Sequence, residues 1–365
     1  MEEKKMSRVY VWLIAIVFLG LALWAWVKPN NAFSQTERRE LKQFPKLTWE
    51  QVSSGRFMEA FEDYSLDQFP LRDIFREIKA FTHLRLLGQS DNNDVYEVNG
   101  YISKMESALS EKALEKATKK FRSIYENYIQ DSDAKVYYGI IPDKNYYLAK
   151  ANGYLAYDYD KLYHYMNSEL TFMEYIEIAD LLSVDDYYYT DSHWRQEKIV
   201  DVARRLGEKM GVVLEESYEA VTLDTPFYGV YYGHLALPLE PDTLTYLDSP
   251  IFEHCKIVNH ANGKEIPMYD KELARGRDPY EMFLSGSQSV ITIENPNATS
   301  EKELVILRDS FGSSIAPLFV ESYSKITLLD ARYLHESMIE KFVAFTNQDV
   351  LFLYSTSVLN NETAF

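Results

Sequence analysis

The first sustained pattern along the chain is the uncharged apolar run 9–27, long enough as a helix to cross a hydrocarbon layer of about 30 Å. Lys4, Lys5 and Arg8 precede it, and Trp12, Trp24 and Trp26 lie toward its ends, where indole rings suit the lipid–water interface. A cleaved signal peptide is the alternative, but the run exceeds the usual signal length and no small-x-small cleavage site follows. The pattern predicts an uncleaved single-pass anchor: residues 1–28 form a cytoplasmic tip and membrane helix, with the bulk of the chain outside the cytoplasm. Residues 28–48 are polar, carry Pro29 and Pro45, and read as a linker. Over 49–88, Phe57, Phe61, Phe75, Ile78 and Phe81 recur at helical spacing, interrupted at Pro70. Linker and helical segment together occupy 29–95.

Residues 96–365 read as one α/β domain. Ser110 is placed to cap a helix whose apolar stripe is Leu114, Ala117, Phe121, Ile124 and Tyr128. The run 136–141 predicts a buried strand ended by Pro142. Residues 194–210 predict an amphipathic helix with Ile199, Val200, Ala203, Leu206 and Met210 inward. An irregular insertion follows at about 215–300, with β-like runs at 230–237 and 290–293. Toward the C-terminus, strand-like 304–307, 326–329 and 350–354 alternate with helix-like 313–323 and 336–345. That alternation implies parallel strands with right-handed crossovers, a sheet flanked by helices, and sites beyond the carboxyl ends of its strands.

Composition narrows the function. A net charge of −18, with both signs spread along the chain, removes nucleic acid as a partner, since binding phosphates needs a concentrated basic surface. The single cysteine, Cys255, leaves no internal disulfide. An Asp-x-His pair suits a metal, but a ligand set needs three or four donors, and His254, Cys255 and His260 lack matching partners. No metal and no cofactor are expected. The 29 tyrosines read as amphipathic filler of core and sheet edge rather than as a sugar platform.

Two distant segments carry chemistry. Asp191 and His193 stand two apart, so in an extended stretch the carboxylate reaches the imidazole and fixes its tautomer. Ser310 ends a strand-like run and opens a helix, where Phe311 and the first helical amides face a developing oxyanion. Each has a plainer reading: Ser310 as a helix cap, Asp191 or Ser192 as the cap of 194–210, and His193 as a surface residue. Asp309 is expected to bond the backbone of its own turn.

The segment 190–194 (Thr-Asp-Ser-His-Trp) resembles the signature of the bacterial DHHW proteins, relatives of the alginate O-acetylation proteins with an SGNH-hydrolase-like fold. Further matching pieces run in order over the chain: Phe44-Pro45, Ser54 to Phe57, Tyr64 to Arg72, Ile141-Pro142 with Lys144, Tyr280 with Phe283 to Gly286, Asp309-Ser310, and Asp330 with Arg332-Tyr333. The resemblance implies Ser310 as nucleophile, His193 as base and Asp191 as its orienter. Ser355 and Asn360, with Arg332 and Trp194, are the further oxyanion or substrate candidates. Arg308 stands where ordinary SGNH enzymes have the Gly of Gly-Asp-Ser, and no Gly-x-Asn-Asp block accompanies Asn360. The implied activity is O-acetyl transfer to, or acetyl-ester hydrolysis on, a cell-envelope polysaccharide, beside a multispanning membrane O-acyltransferase. A non-catalytic polysaccharide-binding or assembly module and a lipase-like esterase are the alternatives.

Overall fold

The computed structural model describes residues 2–214 and 217–365, so residues 215 and 216 of the expected insertion lie outside the described residues. The chain forms two units: one from residues up to Asn92 together with Gly233–Pro238, the other from Asn93–Tyr232 and Leu239–Phe365.

The first unit opens with the helix Glu2–Val27, whose stretch Met6–Val27 is long and apolar enough to cross a membrane. The polar stretch that follows is more structured than its composition predicts. Phe33–Ser34 pairs with Arg39–Glu40 as a short hairpin, and Asp67 fastens it from below. The Arg39 guanidinium donates to both Asp67 oxygens at 2.8 and 2.6 Å, and the Lys42 amide adds a third bond at 2.8 Å. The hydrogen bond from Arg39 holds the Asp67 carboxyl down at about 2. Helices Trp49–Ser53, Arg56–Asp67 and Arg72–Phe81 follow, the last extended by a π-helical turn Thr82–Leu86. The chain breaks between the second and third at Pro70, as expected of a residue without an amide hydrogen.

The second unit is built on an eight-stranded sheet. Its five parallel strands lie in the order Lys325–Leu329, Glu303–Arg308, Asp349–Ser355, Lys135–Ile141, Glu174–Tyr175. The region expected to be an irregular insertion supplies the other edge: Val290–Glu294 pairs antiparallel with Lys325–Leu329, then Lys256–Asn259 and Lys264–Glu265 follow. The β-like run at 230–237 is instead a short helix, Val230–Leu235, and Glu219–Phe227 pairs with Asp242–Asp248 in a separate hairpin. Apolar content alone does not separate a short helix from a strand, and here the run's Gly-x-Tyr-Tyr-Gly stretch has no strict alternation.

Alternation along the parallel strands divides the core into two layers, because successive side chains leave opposite faces of a sheet. Leu304, Ile306, Leu351 and Leu353 enter one layer, covered by Val202, Ala203, Leu206 and Met210 of the helix Val200–Met210. Val305, Leu307, Val350 and Phe352 enter the other, under Leu114, Ala117 and Phe121 of Glu111–Ile124. Ser110 caps that helix by accepting from the Ala113 amide, which fits its predicted place. Strands apolar on both faces are what a parallel sheet requires.

Candidate active site

Three adjacent parallel strands deliver their carboxyl ends to one place. Glu303–Arg308 leads into Asp309 and Ser310, Asp349–Ser355 ends on Ser355, and Lys135–Ile141 runs through Pro142 into Asp143 and Lys144. Ser310, Ser355, Asp143 and Lys144 line one cavity of about 650 Å³ with Ser192 and His193. A cleft beyond the carboxyl edge of a parallel sheet is where this architecture places ligands.

Ser310 has helical backbone angles (φ −61°, ψ −27°) and makes no side-chain cap bond with the helix that follows. Its hydroxyl lies 2.7 Å from His193 Nε2, and His193 Nδ1 lies 2.6 Å from Asp191 Oδ1. An ionised carboxylate only accepts, so Nδ1 carries the proton and Nε2 presents its lone pair to the serine hydroxyl. Asp191 is buried and does not cap the helix Val200–Met210. Its Oδ1 also accepts the His193 amide at 3.1 Å, and Oδ2 accepts the Val230 amide at 2.8 Å. The helix predicted from 194 starts only at Val200, after a 3₁₀ turn Gln196–Lys198, so the Asp-x-His segment is free of helical geometry.

Residues outside the signature fix this arrangement. Asp242 accepts the amides of Tyr189 and Thr190 at 2.7 Å each and the Thr190 hydroxyl at 2.6 Å, clamping the backbone just before Asp191. Burial pushes the Asp242 carboxyl up, against those three bonds. The ring of Tyr280 stacks on the imidazole, 3.8 Å between centroids and 10° between planes, and its hydroxyl donates to Ser314 at 2.7 Å. Leu284, Ser285 and Gly286 follow with three consecutive positive φ angles. That turn aims the Gly286 carbonyl at the Arg308 guanidinium and the Ser313 hydroxyl, 3.2 Å each. Arg308 is wholly buried and also donates to the Asp309 carbonyl at 3.3 Å, a bond that a glycine in its place could not make.

Gly229 permits the closest approach in the site. A Cβ added there would stand 2.4 Å from the Asp191 backbone nitrogen, Cα and Cβ. Gly229→Ala must therefore move either the 228–230 loop or Asp191, costing about 1–3 kcal/mol as overpacking. Because the displaced atom orients His193, turnover should fall far more than the loss of folded protein explains. Thermal melting and ester release on the same sample check this.

The remaining predicted contacts divide. Phe311 and Asn360 line the cavity, but the Phe311 amide is spent on Asp309 Oδ1 at 3.0 Å, which corrects its reading as an oxyanion donor. Ser355 lines it too, yet its amide donates to Asp309 Oδ2 at 2.8 Å and its hydroxyl accepts from Val358. Asp309 thus bonds its own turn, as expected, and also ties that turn to the neighbouring strand. Asn360 accepts the Ser110 amide at 2.7 Å and donates to the Ala108 carbonyl at 3.0 Å, shaping the rim through the 106–110 loop. Arg332 lies outside the cavity wall, paired with Asp330 at 2.9 and 2.7 Å. Trp194 is buried behind Phe311 and donates to Ser314 at 2.8 Å. Among the described residues, no cluster of three or more His, Cys, Asp or Glu is arranged for a metal.

Lys144 was legible only as part of the family pattern. Its ammonium is buried and donates to the Tyr188 and Tyr189 carbonyls at 2.8 and 3.0 Å. Burial presses its pKa down to about 7, with Asp242 and Asp191 pulling the other way. Between about pH 7 and 10 the unfolded chain binds the proton that the folded site has released, so stability rises with pH across that window. Unfolding of the wild type compared with Lys144→Met should show that rise only in the wild type, amounting to a few kcal/mol at about 1.4 kcal/mol per unit of displacement.

The sheet and its flanking helices form an α/β, SGNH-hydrolase-like fold, and solved structures share it. A DHHW family protein from Eubacterium siraeum superposes with a TM-score of 0.59 at 21% identity, covering 75% of this chain and 94% of that one. Bacillus cereus PatB1, solved with a sulfonyl adduct, superposes with a TM-score of 0.58 at 16% identity, covering 74% and 97%. The O-acetyltransferase domain of Pseudomonas putida AlgJ aligns at a TM-score of 0.44 and 10% identity, over 73% and 92%. No protein-family model matches the chain, and no curated protein does. The family that the Thr190–Trp194 segment resembles is thus represented among structures of the same fold.

Proposed function

We propose that this protein is a membrane-anchored, extracytoplasmic O-acetyltransferase acting on a cell-envelope polysaccharide, with Ser310, His193 and Asp191 as its catalytic residues. The observation that carries the reading is the continuous chain from Asp191 through both imidazole nitrogens to the Ser310 hydroxyl. Ser310 Oγ attacks the acetyl carbonyl carbon while its proton passes to His193 Nε2. The donor's oxygen leaves with that proton, and the acetyl group remains on Ser310 as an ester. A sugar hydroxyl then attacks the ester carbonyl, giving its proton to His193, and Ser310 recovers it as the acetylated sugar departs.

The cavity supports a hydroxyl-rich acceptor. Ser107, Ser192, Ser357 and Asn361 share its wall with Asp94, Glu106 and Glu362, unlike the apolar slot of a lipase-like esterase. The DHHW resemblance supports acetyl as the acyl group and a multispanning membrane O-acyltransferase as the system that delivers it. The long apolar N-terminal helix supports the anchor. The reading is tested by incubating the full chain with an activated acetyl ester and a neutral oligosaccharide. Acetylated oligosaccharide from the wild type, and none from Ser310→Ala, is the expected result. Acetate release alone would assign hydrolysis, and identical yields from both proteins would remove the serine mechanism.

A further inference from the structure

The helix Arg72–Phe81 is inside out. Leu71, Ile74, Phe75, Ile78 and Phe81 recur every three or four residues on one face, a stripe that in a soluble domain faces the core. Here each is 44–55% exposed. The face turned into the first unit is the ionic one: Arg72 pairs with Glu37, Arg76 reaches Glu37 at 3.3 Å and donates to the Gly233 carbonyl, and Ala80 is buried. These bonds fix the helix's rotation, so the apolar stripe cannot turn inward without breaking them. The following turn continues outward with Leu86 and Leu87, both above 60% exposed. A contiguous apolar face of this size marks a contact surface.

Its place in the unit says what covers it. Leu71 and Ile74 line the same cavity as Trp24 and Lys28, the aromatic and basic residues at the exit end of the apolar N-terminal helix. The Lys28 ammonium and the Asn31 amide donate to Gln68, tying that exit to the turn from which Arg72–Phe81 starts. An amphipathic helix held beside the end of a membrane span has the properties of one lying in the interface.

We infer that the Leu71–Phe81 face is seated in the headgroup layer of the bilayer, so that the first unit grips the membrane through a second, surface-lying helix. This rests on the reading of Met6–Val27 as a bilayer span. The grip limits the tilt of the first unit over the membrane, which a lone spanning helix does not.

The test uses the full chain, with Cys255→Ser, in nanodiscs of phosphatidylcholine and phosphatidylglycerol. An environment-sensitive fluorophore is attached to Ile78→Cys in one sample and to Leu19→Cys, within the span, in another. Quenching of the Ile78 probe by lipids spin-labelled near the headgroup, with protection from aqueous iodide, is the expected result. A Leu19 probe quenched by lipid beside an Ile78 probe that iodide reaches freely would overturn the inference while leaving the anchor intact. Protection at Ile78 only when another membrane protein is present would also overturn it, in favour of a protein contact. If neither probe meets lipid, the spanning reading falls and this inference with it.

Discussion

Ser310→Ala should lower acetyl-ester turnover by about 10⁴- to 10⁶-fold, and His193→Ala should do nearly the same. The reason is geometric. The hydroxyl proposed as acyl carrier and the nitrogen proposed to receive its proton are 2.7 Å apart, and in that mechanism either alone is without use. The double variant is therefore expected to be no slower than the worse single one, since residues acting as a unit are not additive. Folding gives no competing explanation: Ser310 makes no cap bond, so its loss leaves the short helix 311–315 intact. Stopped assays of ester release with circular dichroism on the same preparations check both statements. Residual rates that multiply across the two single variants would contradict a shared step.

Asp191→Asn should come next, at about 10⁴-fold. The substitution keeps shape and volume, and its carbonyl oxygen can still take the Val230 amide. The amide nitrogen then faces His193 Nδ1 as a donor. Nδ1 must give up its proton to accept, Nε2 becomes protonated, and it no longer takes the serine proton. The loss should appear in kcat rather than in KM, and it should ease at high pH only if the asparagine turns over. A solvent proton resonance for Nδ1–H, present in the wild type and absent in Asp191→Asn, reads the tautomer directly.

Much of this was visible in the residues. The strands of the C-terminal half announce themselves because parallel strands buried on both faces are unbroken apolar runs, and Ser110 declares its helix by capping. Asp191, His193 and Ser310 were singled out because a triad needs one residue of each type and the DHHW resemblance selected which. What surrounds them was not legible. Asp242 and Gly229 act over 52 and 38 residues of chain, on Thr190 and Asp191 respectively, and no local periodicity marks such contacts. Tyr280 was marked only as part of the family pattern, and nothing in the sequence shows that its ring stacks on His193. Asp309 was expected to bond its own turn, but spacing does not say which amide it takes, because that depends on a side-chain rotamer. Nor did the helical period of Ile74, Phe75 and Ile78 state which way it faces; the ion pairs on the opposite side decide that.

The acyl-enzyme itself is the most direct test. The full chain is mixed with an activated acetyl ester, quenched in acid within the first turnovers, digested and mapped by mass spectrometry. An acetyl group on the peptide that carries Ser310, vanishing when a sugar acceptor is added before the quench, is the predicted result. Ester release at an undiminished rate with Ser310 unmodified, or with the acetyl group settled on another residue, would contradict it.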